Sequence, residues 1–313
     1  MPSSAGGVAP PQENAGEVQN SGLELQATYN STTHSKLTYS ITGNFALLHN
    51  KVKSLIDNSP IAGGRIDNNY FATLTSVGEP IGEFYLLQDE GIFQTAKDVF
   101  THAYQGPNVQ PGDVAYKDIS GPNGKPDGVI DNYDRTFVGS PIPKFTYGLT
   151  GSLEYANFDL NLFFQGVYGN KIYDQVLTDI EGFYRAFNIT EDVANNSWHG
   201  EGTSNSIPRL SWNGATNNKQ PSTRFLENGS YVRLKNVQLG YTLSKDMLKR
   251  LNISGVRFYI SAQNLFTITK YKGLDPEQYI SNNALGDGDK AVGIDWGTYP
   301  EARTYTFGVN VNF

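Results

Sequence analysis

From Thr304 to Phe313 the chain alternates without a break: Tyr305, Phe307, Val309, Val311 and Phe313 fall on one side, and Thr304, Thr306, Gly308, Asn310 and Asn312 on the other. A repeat of two sends successive side chains to opposite faces, so the stretch reads as a strand with one apolar and one polar face. The polar face has no charge, and the final residue is aromatic. A strand of about 9 to 11 residues with one face in lipid and the other in a wet lumen has this pattern. An amphipathic strand closing a soluble sandwich has it too, and these ten residues are compatible with both.

Composition narrows the class. Charged residues make up 18% of the 313, aromatics 12%, and there are 33 Gly, 19 Tyr and 17 Phe, a profile of strands and turns. The chain reads as all-β. A formal charge of -7 with no basic run argues against nucleic acid as a partner. With no Cys there is no disulfide, thiolate metal site or cysteine nucleophile. No apolar run is long enough for a membrane-spanning helix, which leaves strands as a way across. Met1 is followed by Pro-Ser-Ser-Ala-Gly-Gly, without the basic start and apolar core of a secretory signal. The expectation is that a targeting segment lies elsewhere or that the chain is a piece of a longer one.

Residues 1–20 read as a loop rich in Pro, Gly, Ser and Asn. Leu23, Leu25, Ala27 and Tyr29 then alternate with polar neighbours, as do Leu37, Tyr39, Ile41, Gly43 and Phe45, with a short polar connection at Ser31 to Lys36. From about His49 to Pro143 regularity fails, and Ile81 to Phe93 is the one part expected to pair as a strand. Alternation returns in Phe145 to Tyr155 and, after a tight turn at Ala156 and Asn157, in Phe158 to Phe164. A second long connection, about 169–229, contains Ile172, Val176, Ile180, Tyr184 and Phe187 at helical spacing. Tyr231 to Leu243 reads as a strand, Ser244 to Arg250 as a capped helical turn, and Val256 to Gln263 as a strand. A third long connection, Thr267 to Glu301, leads into the last strand.

The connections therefore run short, long, short, long, short, long. Outer-membrane barrels have short periplasmic turns and long external loops, whereas a soluble sandwich has no reason for the alternation. The fold expected is an antiparallel transmembrane β-barrel portion of about seven or eight strands, with external loops at about 49–143, 169–229 and 267–301. Seven crossings starting in an external loop imply a missing N-terminal part; counting Ile81 to Phe93 as an eighth would restore the even number of a self-contained barrel.

Several stretches in order resemble the SusC/RagA family of TonB-dependent outer-membrane transporters: Gly16-Glu-Val-Gln-Asn-Ser-Gly-Leu-Glu-Leu25, Gly112-Asp-Val-Ala-Tyr-Lys-Asp118, Asp127-Gly-Val-Ile-Asp-Asn-Tyr-Asp-Arg135 and Gly139-Ser-Pro-Ile-Pro-Lys-Phe-Thr-Tyr-Gly148. Asn157-Phe-Asp-Leu160, Phe163-Phe-Gln-Gly166, Gln263-Asn-Leu-Phe266 and Tyr299-Pro-Glu-Ala-Arg-Thr304 extend the likeness over nearly the whole chain. The resemblance implies a barrel of about 22 strands around an N-terminal plug, this chain being roughly its C-terminal third. It also implies the outer membrane of a Gram-negative bacterium, a SusD-like surface lipoprotein that delivers ligand, and the TonB complex acting on a plug that has no counterpart in these residues. Phe313, with Tyr305 and Phe307, then looks like the assembly signal read by the outer-membrane insertion machinery.

Asp118, Asn123, Asp127, Asp131 and Asp134 form the densest group of oxygen donors, in a Gly-rich loop. Calcium takes six to eight oxygens, and acidic residues alternating about a glycine turn supply them in the EF-hand loop. Ser120 to Pro126 interrupts that spacing, so a calcium site and a solvated acidic turn are both open. Trp198, Trp212 and Trp296 fall in the expected external loops, where such rings stack on ligands or pack loops together. No catalytic triad, His-Glu zinc spacing or phosphate-cradling loop is present in the sequence, and no enzymatic activity is expected. The reading is a wall-and-loop portion of an importer for glycans or peptides. The alternatives are a small self-contained barrel or porin and a secreted, calcium-stabilised, carbohydrate-binding β-domain.

Overall fold

The computed structural model describes residues 16–31, 36–66, 70–183, 187–212, 217–249, 253–277 and 288–313. Along the chain come β1 (Gly16–Asn30) and β2 (Leu37–Leu55). The first long connection then holds β3 (Ile61–Arg65), β4 (Phe71–Thr75), β5 (Glu83–Leu86), β6 (Asp89–Ile92), α1 (Ala96–Thr101), β7 (Val114–Tyr116) and β8 (Thr136–Gly139). A hairpin of β9 (Phe145–Tyr155) and β10 (Phe158–Tyr168) follows. The second connection contains β11 (Lys171–Asp174), α2 (Gln175–Glu181), α3 (Glu191–Asn196) and β12 (Leu226–Asn228). After β13 (Tyr231–Thr242), α4 (Lys245–Leu248) and β14 (Gly255–Thr269), the third connection carries β15 (Ile294–Asp295) and ends in β16 (Thr304–Asn312).

Seven strands form one antiparallel sheet in the order β1-β2-β9-β10-β13-β14-β16. The register carries side chains of like character across it. Leu37 lies opposite Tyr155, Tyr155 opposite Phe158, Phe158 opposite Tyr241, Tyr241 opposite Phe258, and Phe258 opposite Val309. All of these sit beside short connections, so the short turns share one rim and the long loops the other. One row further along, Leu153, Leu160, Leu239, Ile260 and Phe307 line up in the same way. Phe307 is 80% and Tyr305 61% exposed, and Leu23, Leu25, Leu153, Leu239 and Ile260 are exposed as well. A continuous apolar face left to solvent over seven strands belongs against lipid.

Aromatic rings bound this face at both ends. At the short-turn rim Phe158 and Tyr241 lie 4.7 Å apart; at the other rim Phe145 lies 4.8 Å from Tyr168 and 5.1 Å from Phe45. From Phe158 to Tyr168 the strand has 11 residues. That run is about 33 Å along the strand, and at a tilt of about 40° it spans about 25 Å of height, a hydrocarbon thickness.

The packed core lies in the loops, not in the sheet. Ile66, Ala72, Phe84, Leu86, Tyr173, Phe225, Ala291 and Ile294 form one buried cluster drawn from all three long connections. Burial there comes from β3-β4-β5-β8 and β12-β11-β15, two small sheets stacked at the long-loop rim. In β11 and β15, Tyr173 pairs in parallel with Ile294, which fastens the second connection to the third.

Several expectations are corrected. The first strand starts at Gly16, inside the segment expected to be loop, because Gly16 to Ser21 pair with Leu55 to His49 of a β2 longer than the alternation indicated. The region 49–143 is ordered by short strands, where no regularity was expected. Ile81 to Phe93 does hold two strands, but β5 pairs with β4 and β8, and β6 with β7, so neither crosses with the sheet. Of the helical run, only Gln175–Glu181 is α-helix; Ile172 lies in β11, Phe187 is outside any helix, and Tyr184 lies outside the described residues. Asp174 caps that helix by accepting from Leu177 N at 2.9 Å, which resets the start the spacing had placed earlier. Ser244 precedes α4 without a side-chain capping bond, and Arg250 lies outside the described residues.

Candidate functional site: lumen wall and external loops

The face opposite the apolar one is polar and bonded to itself. Thr28 and Thr42 hydroxyls meet at 3.0 Å, and Asn50 Nδ2 donates to Asn20 Oδ1 at 2.6 Å. Arg257 Nε donates to Asp159 Oδ1 at 2.9 Å, across the intervening strand β13. Gly240 of β13 makes room for the pair, since a Cβ there would stand 2.3 Å from Asp159 Oδ1. Tyr259 likewise lies over Gly308, and the Arg257 guanidinium rests 5.3 Å from the Tyr259 ring centre. Polar groups paired in this way make a hydrophilic wall.

Above that wall the third connection is fastened to β13. Buried Arg233 donates to Glu277 Oε2 at 2.7 Å and to Thr267 Oγ1 at 2.8 Å, and it also pairs with Asp275. Lys235 Nζ reaches both Glu277 oxygens at 2.7 and 2.8 Å, and Asp275 Oδ2 accepts from Glu301 N at 3.0 Å. The side chains of Arg233, Asp275 and Glu277 are 3%, 6% and 4% exposed, so this is a shielded network. A second one joins the first and second connections: Arg209 Nε donates to Asp113 Oδ1 at 2.8 Å, and Asn218 Oδ1 accepts from Val114 N at 2.9 Å.

Among the perturbed carboxyls in the loops, two are pushed furthest from their ordinary range. Burial first, and then the neighbouring carboxylate of Glu79, pushes Glu83 up to about 7. Burial also pushes Asp174 up to about 6; its bond from Leu177 N opposes this, and Asp295, opposite it across β11 and β15, adds to it.

The acidic loop closes on itself. Asp134 is fully buried, with Oδ1 accepting from Ile119 N at 2.8 Å and Ser120 N at 3.1 Å, and Oδ2 from Asp131 N at 2.8 Å. Asp131 Oδ1 accepts from Tyr133 N, Asp118 Oδ2 from Gly128 N and Asp127 Oδ1 from Val129 N. Asn123 is exposed at the tip. Asp118 Oδ1 is buried without a hydrogen-bond partner. Among the described residues no three His, Asp or Glu side chains converge as a metal site.

The three tryptophans part ways. Trp198 Nε1 donates to Gln94 Oε1 at 3.1 Å while its ring closes over Gly112, Trp296 packs half-buried against the loop core, and Trp212 is 79% exposed. Tyr305 and Phe307 are on the exposed apolar face of β16, and Phe313, just past its end, is exposed as well. Sequence reasoning missed the Arg233 and Asp113 networks, whose members are 42 and 96 residues apart in the chain; pairings at that range leave no local pattern.

No family model matches the chain. Among curated proteins it is 34% identical over 310 residues to TonB-dependent receptor P3 of Formosa agariphila, which covers 98% of the chain and 30% of that relative. TonB-dependent receptor SusC of Bacteroides thetaiotaomicron is 27% identical over 310 residues, covering 96% of the chain and 27% of that protein. A solved structure of the RagAB peptide transporter superposes with a TM-score of 0.73 at 22% identity, over 96% of this chain and 29% of its own. At that identity the likeness is one of fold. Over nearly its whole length the chain is thus similar to TonB-dependent receptors, SusC among them, and it spans about 30% of the length of the curated relatives it matches.

Proposed function

We propose that the chain forms barrel wall and external loops of an outer-membrane TonB-dependent importer, in a Gram-negative bacterium, for glycans or peptides too large for simple porins. The observation that carries this reading is the exposed apolar band across seven strands, set against a hydrophilic opposite face and long loops on one rim. A SusD-like surface lipoprotein would deliver ligand to the loops, and the TonB complex would act through a plug supplied by the rest of the receptor. The wall and loops bind and admit; no catalytic step is assigned to them. The test is uptake in cells carrying the full-length receptor. Uptake lost on removing the receptor or on dissipating the proton gradient supports the reading, and uptake unaffected by both overturns it. Recovery of the protein in buffer instead of detergent would favour a secreted domain.

A second reading concerns the acidic loop. The unpaired, buried Oδ1 of Asp118 is the observation that favours a divalent cation there, calcium by its preference for carboxylate oxygens; Asp127, Asn123, Asp131 and Asp134, which do not converge on it among the described residues, would have to turn toward it as further donors. Its cost is the set of backbone bonds those carboxylates already make. Calorimetry on the intact receptor decides it: heat with calcium that disappears in Asp118→Asn supports the site, and no heat overturns it.

A further inference from the structure

In the first long connection a cavity of about 280 Å³ opens in front of Arg135. Tyr116 and Leu87 form its buried floor, and Asn132, Asp131 and Asn217 its exposed mouth. Polar side chains face it, but most are spoken for: Gln105 Nε2 donates to Val114 O at 2.6 Å, Tyr116 Oη to Asn217 O at 2.8 Å, and Gln220 Nε2 to Tyr70 Oη at 3.3 Å. Arg135 differs. Its Nη1 donates to Phe71 O at 3.2 Å, its Nε is buried without a partner, and no carboxylate among the described residues pairs with it. Burial works against its charge, and the groups acting on it besides are the hydroxyls of Tyr173, Tyr70 and Tyr85. Asp131 lines the same mouth, yet it is exposed and its Oδ1 is held by Tyr133 N at 2.7 Å.

A guanidinium offers five donors in a fork matched to a carboxylate, and a half-buried one lacking an anion is costly to hold in place without a ligand. We propose that this cavity binds a carboxylate group of the transported ligand, with Arg135 as the anion-binding residue and Asn132 and Asn217 at the entrance. The cavity falls at the lower end of the size of ligand pockets, so it takes the end of one residue and not a whole oligomer. The acid would come from a uronic acid sugar or from the carboxyl terminus of a peptide. This rests on the importer reading and sharpens it into a preference for acidic ligands.

The test is equilibrium binding to the intact receptor, measured apart from uptake. The probes are trigalacturonic acid against its methyl ester, and N-acetyl-trialanine against its C-terminal amide. One acid should bind about tenfold more tightly than its neutral partner, and which pair shows this identifies the source of the carboxylate. Arg135→Gln should bring that pair to within about twofold, while Arg135→Lys keeps part of the difference. Should Arg135→Gln fail to assemble, Gln220→Glu decides, because a carboxylate placed inside the cavity should lower acid binding about tenfold with Arg135 intact. No preference in either pair, or a preference that survives Arg135→Gln or Gln220→Glu, overturns the proposal. Energy-dependent uptake persisting in that case would leave the importer reading standing.

Discussion

Glu83 is a residue whose protonation the loops control. Its ordinary carboxyl value of 4.5 is raised to about 7 in the fold, so the fold prefers the protonated acid. The associated stability is fully present below 4.5 and is lost as pH rises through 7. Thermal melting of the intact protein in detergent should therefore show the loop region weakening between pH 5 and pH 8. Glu83→Gln should remove most of that dependence and stabilise the protein at pH 8 by roughly 1–2 kcal/mol, solvent screening reducing the full shift. An unchanged pH profile in the variant would assign the effect to other groups. Glu83 was legible as one carboxylate among many; its burial by strands β4 and β8 and its proximity to Glu79 come from the fold.

At the scale of elements, the third connection is held to the wall by Arg233 and Lys235 of β13 gripping Asp275 and Glu277. Removing one member of a shielded charge network leaves its partners buried and unpaired, at a cost of about 3–5 kcal/mol. Arg233→Ala should expose the connection after β14 to limited proteolysis in the assembled receptor, with fragments cut between β14 and β16, while the wild type resists. Equal resistance would mean that the β11-β15 pairing alone holds the connection. The strands themselves were readable wherever one face meets lipid and the other water, as in Phe145–Tyr155 and Thr304–Asn312. In the loops, strands such as β4 and β7 are buried on both faces and three to five residues long. Such pieces leave no alternation to read.

At the scale of the molecule the sheet has two edges among the described residues, β1 and β16, each paired on one side. Strand edges with unpaired N–H and C=O groups template association with other chains. Expressed by itself in detergent the chain should run as polydisperse aggregates in size-exclusion chromatography, and a single sharp monomer peak would show that the edges are closed in some other way. Within the full-length receptor, deleting Phe313 should lower the amount recovered in the outer membrane. Unchanged insertion would remove the terminal aromatic from any role in assembly.

The sequence by itself determined the wall. Period-two alternation is a local property of backbone geometry, and lipid on one side with water on the other imposes it along every crossing, so Tyr305, Phe307 and Val309 announce their face without reference to the rest of the chain. The alternation of short and long connections follows from the same geometry. Only the tertiary structure decided the loops. There Ile66, Tyr173 and Ile294 meet from three separate connections, Arg233 finds Glu277, and Arg135 faces a cavity with no carboxylate paired to it among the described residues. Such contacts depend on which distant segments are brought together at the rim, and a chain read in order holds no record of that.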